Sequence, residues 1–245
     1  ALLHVASDRV DADEVARQLA IFQTSSPSYP LMASIAACVA RLKAERVPLF
    51  AAYRARLARF DERIRTLRHL RVLCHGADSP THHSFAGFDP GKLVISCRGT
   101  ALTGGQLADR LRRDFRLEVE MASTDYVLAM TSVCDSDDGF DRLAEALLAI
   151  DQTLTPAAAK ATRPPLLIPP AICPIGEALD APGQLTPLAD SAGGVSREYP
   201  PGIPLLTPGE QVTPALLALF DQMTRAGVAL HSTRAEMPHR LEILY

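Results

Sequence analysis

The stretch "KLVISCRGTALTGGQLADRLRRDFRLEVEMASTDYVLAMTS", residues 92–132, decides the fold class of this chain. Residues 92–98 predict a strand that is entered through the turn Asp89-Pro90-Gly91. Residues 102–115 predict a helix in which Thr103 is the N-cap. The segments "LEVEM" and "DYVLAMTS" predict two further strands.

The flanking residues extend this pattern on both sides. Before it, "LRVLC", residues 70–74, predicts another strand. After it, Asp135 to Asp138 open a predicted helix with apolar residues at helical spacing: Phe140, Leu143, Leu147, Ile150 and Leu154. The order β, β, α, β, β, α predicts an α+β unit with its helices on one face of the sheet.

The N-terminal residues predict helices. Val15, Leu19 and Phe22 form one face of a predicted helix over 12–22, and "LMASIAACVARLKAE", residues 31–45, is typical of a buried helix. Pro48 predicts either a kink or the start of a new helix, and apolar residues from Leu49 to Leu67 then follow helical steps.

The C-terminal part differs in composition, since residues 164–214 hold 12 of the 19 prolines. That density favours a packed, loop-dominated segment. A helix is predicted after it, with Thr213 as N-cap, Pro214 at the first position and Gly227 at the exit. "GVALH" and "RLEILY" predict closing strands, and the domain boundary is expected within residues 155–165.

Composition excludes several classes of protein. The net charge is −3, which gives no sign of a nucleic-acid partner, and no apolar run approaches the roughly 20 residues of a membrane span. We expect a cytoplasmic protein without a metal site, because the five cysteines are scattered and form no C-x-x-C: Cys38, Cys74, Cys97, Cys134 and Cys173.

Three consecutive hydroxyls, Thr24, Ser25 and Ser26, stand in the joint "FQTSSPSYP", residues 22–30. One interpretation is that Ser25 or Ser26 caps a helix that begins near Leu31. The other is an anion site, in which hydroxyls and helix N–H groups meet a phosphate or carboxylate. The two interpretations are compatible.

Other polar features favour structural roles. The tract "CHGADSPTHH", residues 74–83, matches no standard zinc spacing and is typical of a solvated loop. Ten basic residues within 41–71 favour a solvated helix face or a subunit contact over nucleic-acid binding. "LTGGQ" matches no phosphate-binding loop. In "SREYPPGIPLLTPGE", residues 196–210, Glu198 and Glu210 flank a rigid loop that either covers a sheet edge or shapes a site.

Two of these motifs, "FQTSSPSYPLMAS" and "YPPGIPLLTPGE", resemble segments of the ornithine/lysine/arginine decarboxylase family of pyridoxal-phosphate enzymes. "FDPGKLVIS", "GTALTGGQLADRL" and "LEVEMASTDYVLAMTS" resemble the segments between them. The resemblance implies an α/β enzyme of the aspartate-aminotransferase type I arrangement. Residues 1–50 would end its large cofactor-binding domain, 51–155 would form an α+β small domain with a long connecting helix, and 165–245 a proline-rich C-terminal decarboxylase domain.

The resemblance also implies a cofactor, pyridoxal 5'-phosphate, and a basic amino acid (lysine, arginine or ornithine) that loses CO₂ to give a di- or polyamine. The family's cofactor-binding lysine would precede Ala1, so no catalytic residue is expected in this chain and the chain alone should be inactive. Thr24, Ser25 and Ser26 would approach the cofactor phosphate. Glu198 and Glu210 are candidates for the substrate's distal cation, although the loop at Glu198 is shorter than in the family.

Enzymes of this arrangement build their sites between subunits, so a homodimer or higher oligomer is implied. Two alternatives stay open. The chain could be a non-catalytic assembly or interaction module derived from this family. It could also belong to another type I pyridoxal-phosphate enzyme, although the "YPPGIP" loop argues against an ordinary aminotransferase.

Overall fold

The computed structural model describes residues 3–76, 87–157, 167–197, 204–232 and 239–244. It divides into two compact units, Ala1–Arg54 and Ala55–Tyr245. The division falls within one long helix, so each unit is described by itself. All five cysteines lie in described residues, and none of them forms a disulfide.

The first unit contains helix α1, Ala12–Phe22, and the beginning of helix α2, Tyr29–Ile64. Asp11 caps α1, since its carboxylate accepts the N–H groups of Asp13 and Glu14. Helix α2 continues through Pro48, so the prediction of a new helix there is wrong.

The helix predicted over residues 31–45 to be buried is exposed instead. Tyr53 is the single buried residue among the described residues 3–54. Twelve large apolar side chains of this unit are exposed: Leu3, Val5, Val10, Leu19, Ile21, Phe22, Tyr29, Leu31, Met32, Val39, Val47 and Phe50. The helical pattern was therefore predictable from the sequence, but burial was not, because burial requires a partner surface.

The second unit is built on an antiparallel sheet of order β1-β2-β4-β3. Its strands are β1 Arg71–Val72, β2 Lys92–Ser96, β3 Met121–Ala122 and β4 Tyr126–Met130. Leu93 lies opposite Ala129 and Ile95 opposite Val127, so these buried residues share one face. The predicted order is confirmed, but "LRVLC" and "LEVEM" each supply only two strand residues.

Two helices complete this α+β unit. Helix α3, Gly104–Phe115, begins with the predicted cap, because Thr103 and Gln106 form a reciprocal capping box. Helix α4, Asp137–Gln152, is capped by Ser136. Their buried residues are Gly104, Leu107, Ala108 and Leu111 in α3, and Phe140, Leu143, Ala144, Ala146, Leu147, Ile150 and Asp151 in α4.

The arginines of α2 explain part of the basic run. Arg56 and Arg59 pair with Asp137 of α4, while Arg63 pairs with Asp141 and Glu145. Hydrogen bonding to Glu145 is the main cause that raises the pKa of Arg63 above its ordinary value. These three cations therefore hold α4 against α2.

The proline-rich part is mostly irregular, as predicted, with two short elements that the sequence did not indicate. Helix α5 spans Ile175–Asp180, and strand β5, Gly183–Pro187, pairs with β6, Arg240–Leu244. Helix α6, Pro214–Arg225, has the predicted N-cap Thr213. The strand predicted for "GVALH" is absent from the described residues 227–231.

A second apolar core lies in this C-terminal part. It contains Leu206, Val212, Leu216, Leu219, Phe220 and Leu241, and partly buried leucines pack around it. Within the described ranges, no helix has both the length and the apolar character needed to cross a bilayer.

Candidate functional site

The hydroxyl joint links α1 to α2 in the first unit. The Thr24 hydroxyl accepts the N–H of Ser26 at 3.3 Å. The first turn of α2 is closed by the backbone, because the N–H of Met32 donates to the Ser28 carbonyl at 3.0 Å. Helix α2 begins at Tyr29 rather than near Leu31, and the prediction that Ser25 or Ser26 caps it is wrong.

Thr24, Ser25 and Ser26 are all exposed. In the described residues, the hydroxyls of Ser25 and Ser26 have no hydrogen-bond partner. Each can therefore donate to an external oxyanion without giving up an internal bond. The anion interpretation of this joint stays a prediction.

The joint fits the phosphate part of a pyridoxal-phosphate group, since hydroxyl donors are the chemistry that a phosphate requires. It supplies no amine for the rest of the group. Lys43 is the only lysine in residues 3–54 and lies 14 residues beyond Tyr29. At 1.5 Å per helical residue, that is about 20 Å along α2.

Glu210 lies in the second unit, in the turn Thr207-Pro208-Gly209-Glu210. The N–H of Glu210 donates to the Thr207 carbonyl at 3.2 Å, and Gly209 has φ +89°. A turn with proline second and a positive φ at the third residue needs glycine there. One carboxylate oxygen of Glu210, Oε2, accepts the N–H of Thr207 at 2.6 Å.

The turn at Glu210 is joined to neighbouring segments by backbone hydrogen bonds. The Gly209 carbonyl accepts the N–H of Ile172 at 2.8 Å, and the N–H of Gly209 donates to Ser196 at 2.8 Å. A side chain at Gly209 would collide with the carbonyl of Cys173. Glu210 therefore has a structural role, while its Oε1 has no partner among the described residues.

Glu198 lies outside the described residues, as does the "YPPGI" segment that follows it. Its neighbour Arg197 is firmly held. The guanidinium donates to Glu242 at 2.9 Å and to the Leu179 carbonyl at 2.6 Å. Arg197 and Glu242 form a largely buried ion pair, which nothing in the sequence indicated because the two residues are 45 positions apart.

A cleft of about 1170 Å³ separates the outer face of the sheet from α6 and the residues that follow it. The apolar side chains that line the cleft include Leu128 and Met130 from the sheet and Phe220 and Met223 from α6. Charged residues also line it: Lys92, Asp109, Arg112, Glu120 and Arg225. None of the predicted site residues that the structure describes lines this cleft.

The glycine pair of "LTGGQ" has a packing role. A side chain at Gly104 would collide with the carbonyls of Ser123 and Tyr126, and one at Gly105 would lie 3.0 Å from the Gly227 carbonyl. The start of α3 therefore packs closely on the β3–β4 hairpin and on the exit of α6. These close backbone contacts account for glycine at both positions, so a nucleotide-binding role is not needed to explain them.

His82 and His83 lie outside the described residues, but Cys74 and His75 are described and both are buried. The Nδ1 atom of His75 lies 2.7 Å from the Asp61 carboxylate. This part of "CHGADSPTHH" is therefore not the solvated loop that the sequence predicted. The reason is tertiary: the turn after β1 packs against the end of α2.

Comparisons with known proteins relate the chain to decarboxylases. No protein-family model matches it. The arginine decarboxylase of Bacillus subtilis (strain 168) is 29% identical over 251 residues, which cover 99% of this chain and 51% of that protein. That of Halalkalibacterium halodurans is 27% identical over 252 residues, covering 99% and 50%. The chain spans about half the length of the curated relatives it matches.

Solved structures agree in fold. The constitutive lysine decarboxylase of E. coli matches with a TM-score of 0.67 at 16% identity, over 96% of this chain and 46% of that one. The lysine decarboxylase of Francisella novicida matches with a TM-score of 0.70, again at 16% identity and over 96% and 46% of the two chains. The mixed α/β fold thus resembles that of about half of each lysine decarboxylase, and the sequence is similar to proteins named arginine decarboxylase.

Proposed function

We propose that this chain is the C-terminal part of a pyridoxal-phosphate-dependent decarboxylase that acts on a basic amino acid, releasing CO₂ and a di- or polyamine. One observation carries the proposal: 99% of the chain matches an arginine decarboxylase, in a single span that covers half of that enzyme.

The exposed apolar residues of the first unit support the same proposal. Phe22, Tyr29, Leu31 and Met32 are exposed on either side of the hydroxyl joint. Soluble proteins rarely leave so large an apolar surface uncovered. We assign residues 1–50 to the end of a large cofactor-binding domain, whose other half covers this surface. Residues 51–155 form the small domain and 165–245 the C-terminal decarboxylase domain.

In the complete enzyme, pyridoxal phosphate supplies the electron-withdrawing ring that makes loss of CO₂ possible. The residues of this chain bind and orient. Ser25 and Ser26 donate hydroxyl hydrogen bonds to the cofactor phosphate, alongside Thr24. The Oε1 atom of Glu210 accepts a hydrogen bond from the distal cation of the substrate, as does Glu198, and together they select a basic side chain.

The proposal extends to assembly and location. The enzyme is a cytoplasmic homodimer or higher oligomer with its site at the subunit interface. Arginine is the favoured substrate, because the relatives by sequence are named arginine decarboxylase. Lysine and ornithine are the competitors to be measured beside it.

Two measurements test the proposal. The 245-residue chain, mixed with pyridoxal phosphate, should show no absorbance band near about 420 nm and no CO₂ release. The reading frame upstream of Ala1 should continue for about the length that the relatives add, and the extended protein should release CO₂ from arginine. A 420 nm band in the isolated chain, or an extended protein inactive on all three amino acids, would overturn it.

Site variants of the extended protein sharpen the test. Glu210→Gln should raise KM for the basic amino acid more than it lowers kcat, because the carboxylate binds the substrate's far end. Ser25→Ala with Ser26→Ala should weaken retention of the cofactor in dialysis. The matched control is Ser34→Ala, since Ser34 follows on α2 and its hydroxyl donates within the helix, to Leu31.

A further inference from the structure

A small pocket of about 240 Å³ lies in the second unit, where α2 ends and β1 begins. Arg68, Arg71 and His75 contribute its polar groups, and Ile64 and Leu67 are among its apolar walls. Neither the proposed decarboxylation nor any residue assigned to it uses this pocket. A role for this pocket is therefore independent of the proposed function.

His75 is held rigidly at the pocket. It is only 4% exposed, and its Nδ1 atom lies 2.7 Å from Asp61 of α2. The ring of Phe60 meets it edge-on at 6.4 Å, and the ring of Phe88 lies 5.6 Å away. Its orientation is therefore determined from three sides.

The backbone around His75 is unusual as well. Cys74 and Gly76, on either side of it, both have positive φ, at 59° and 60°. A side chain at Gly76 would lie 2.9 Å from Cγ1 of Ile64. A non-glycine residue in the left-handed region is uncommon and indicates that the surroundings impose the conformation. This turn therefore presents His75 in one position.

The other ring nitrogen of His75, Nε2, is buried and has no hydrogen-bond partner in the structure. Buried polar atoms are nearly always paired, since an unpaired one loses its water without compensation. Because Asp61 occupies Nδ1, Nε2 is the ring nitrogen left for a further hydrogen bond, and His75 is one of the residues that line the pocket.

Two arginines, Arg68 and Arg71, also line the pocket, and both are exposed residues. Neither guanidinium forms a hydrogen bond or an ion pair with any described residue. The main chain of Arg68 is anchored, since its N–H donates to Asp151 at 2.9 Å. The contrast is with Arg56, Arg59 and Arg63, which all pair with carboxylates of α4.

We propose that this pocket binds a small tetrahedral oxyanion of the phosphate class, free or as a phosphomonoester. Arg68 and Arg71 supply the guanidinium forks that match phosphate oxygens. Imidazolium His75 donates from Nε2 to the same anion, while Asp61 balances its charge from Nδ1. Of the charged residues nearby, Asp61 contacts the imidazole directly, and Arg68 and Arg71 line the same pocket.

The first experiment is calorimetric titration of the full 245-residue chain with inorganic phosphate, at constant ionic strength. Binding should be measurable below about 1 mM and should weaken at least about tenfold in the double variant Arg68→Gln, Arg71→Gln. The matched control is Arg65→Gln, which removes an exposed cation of the same segment and should change affinity less than about twofold. Absence of binding, or equal loss in the control, overturns the proposal.

A second experiment tests the role of His75 without replacing it. On titration with sulfate at constant pH and ionic strength, the Nε2 resonance of His75 should shift while that of His231 does not. An unmoved His75 resonance contradicts the assignment.

Competing ligands define the class. If glycerol phosphate binds as well as inorganic phosphate, the pocket is a phosphomonoester site. If inorganic phosphate binds more tightly, the pocket is a site for the free ion. Either result supports the proposal. Acetate that binds equally well overturns it, because a planar monoanion would then satisfy the pocket.

Discussion

Phe22 and Phe60 both lie in helices, yet 81% of Phe22 is exposed and only 1% of Phe60. The difference separates the two compact units. Residues 3–54 have amphipathic helices but bury only Tyr53. The second unit has two apolar cores: one between the sheet and its helices, and one in the C-terminal part. A helical pattern of apolar residues therefore identifies a surface that needs a partner, and it does not say whether the partner is in the same unit.

The same substitution at these two phenylalanines tests this contrast most strongly. Phe60→Ala should lower the free energy of unfolding by about 3–5 kcal/mol, because it leaves a cavity beside Phe140 and His75. Phe22→Ala should change it by less than about 0.5 kcal/mol. Urea denaturation followed by circular dichroism measures both. Equal losses would show that the first unit has a core after all.

Two aspartates that accept backbone N–H groups provide the next comparison. Buried Asp151 accepts those of Arg68, His69 and Leu70 at 2.7–2.9 Å, which fixes the exit of α2 to the end of α4. Asp151→Asn should cost about 2–4 kcal/mol, since the amide presents N–H groups to N–H donors. Asp11→Asn should be nearly neutral, because asparagine is an equally good N-cap. Matching denaturation midpoints for the two variants would contradict this.

Two prolines in helices differ in how well their positions tolerate proline. Pro48 lies in the interior of α2, where proline is about 3 kcal/mol less favourable than alanine. Pro48→Ala should raise the helical content of the chain and slow amide exchange around residue 48, with little effect on unfolding of the second unit. Pro214→Ala is the control, because the first position of α6 needs no N–H donor. Unchanged exchange in the first variant would argue that α2 is already held by other contacts.

Two carboxylates with lowered pKa should have the smallest effect on stability. Glu118 accepts a hydrogen bond from Arg112 at 2.8 Å, and Glu14 accepts one from Arg17 at 2.8 Å. These bonds are the main cause that lowers the pKa of each carboxyl below its ordinary value of 4.5. Each pair therefore adds stability above pH 4.5, and the gain is lost as the pH falls through the lowered pKa.

Both pairs are exposed, so the effects should be small and should fade in high salt. Glu118→Gln should slightly lower the unfolding midpoint of the second unit at neutral pH and leave it unchanged in acid. Glu14→Gln should alter only the helicity of α1. A pH-independent difference for Glu118→Gln would show that the carboxyl acts through packing instead of charge.

Signals within a few residues were sufficient for much of the fold. The N-cap Thr103, the N-cap Thr213 with Pro214, and the Asp89-Pro90-Gly91 turn all lie where the sequence predicts them, because caps and turns depend on neighbouring side chains. Strand lengths were less predictable. "LEVEM" and "GVALH" have strand-like composition, but a strand exists only where another strand pairs with it.

For the candidate site, the residue types that are available could be read from the sequence: hydroxyls at 24–26 and a carboxylate at 210. The resemblance to decarboxylases could be read there too. The hydrogen bonds of these side chains depend on tertiary contacts. The tertiary structure leaves the serine hydroxyls free of the helix, ties one oxygen of Glu210 into a turn, and joins Arg197 to Glu242 across 45 residues. It also seats His75 beside Asp61, because long-range packing, unlike a cap or a turn, depends on which distant segments share a core.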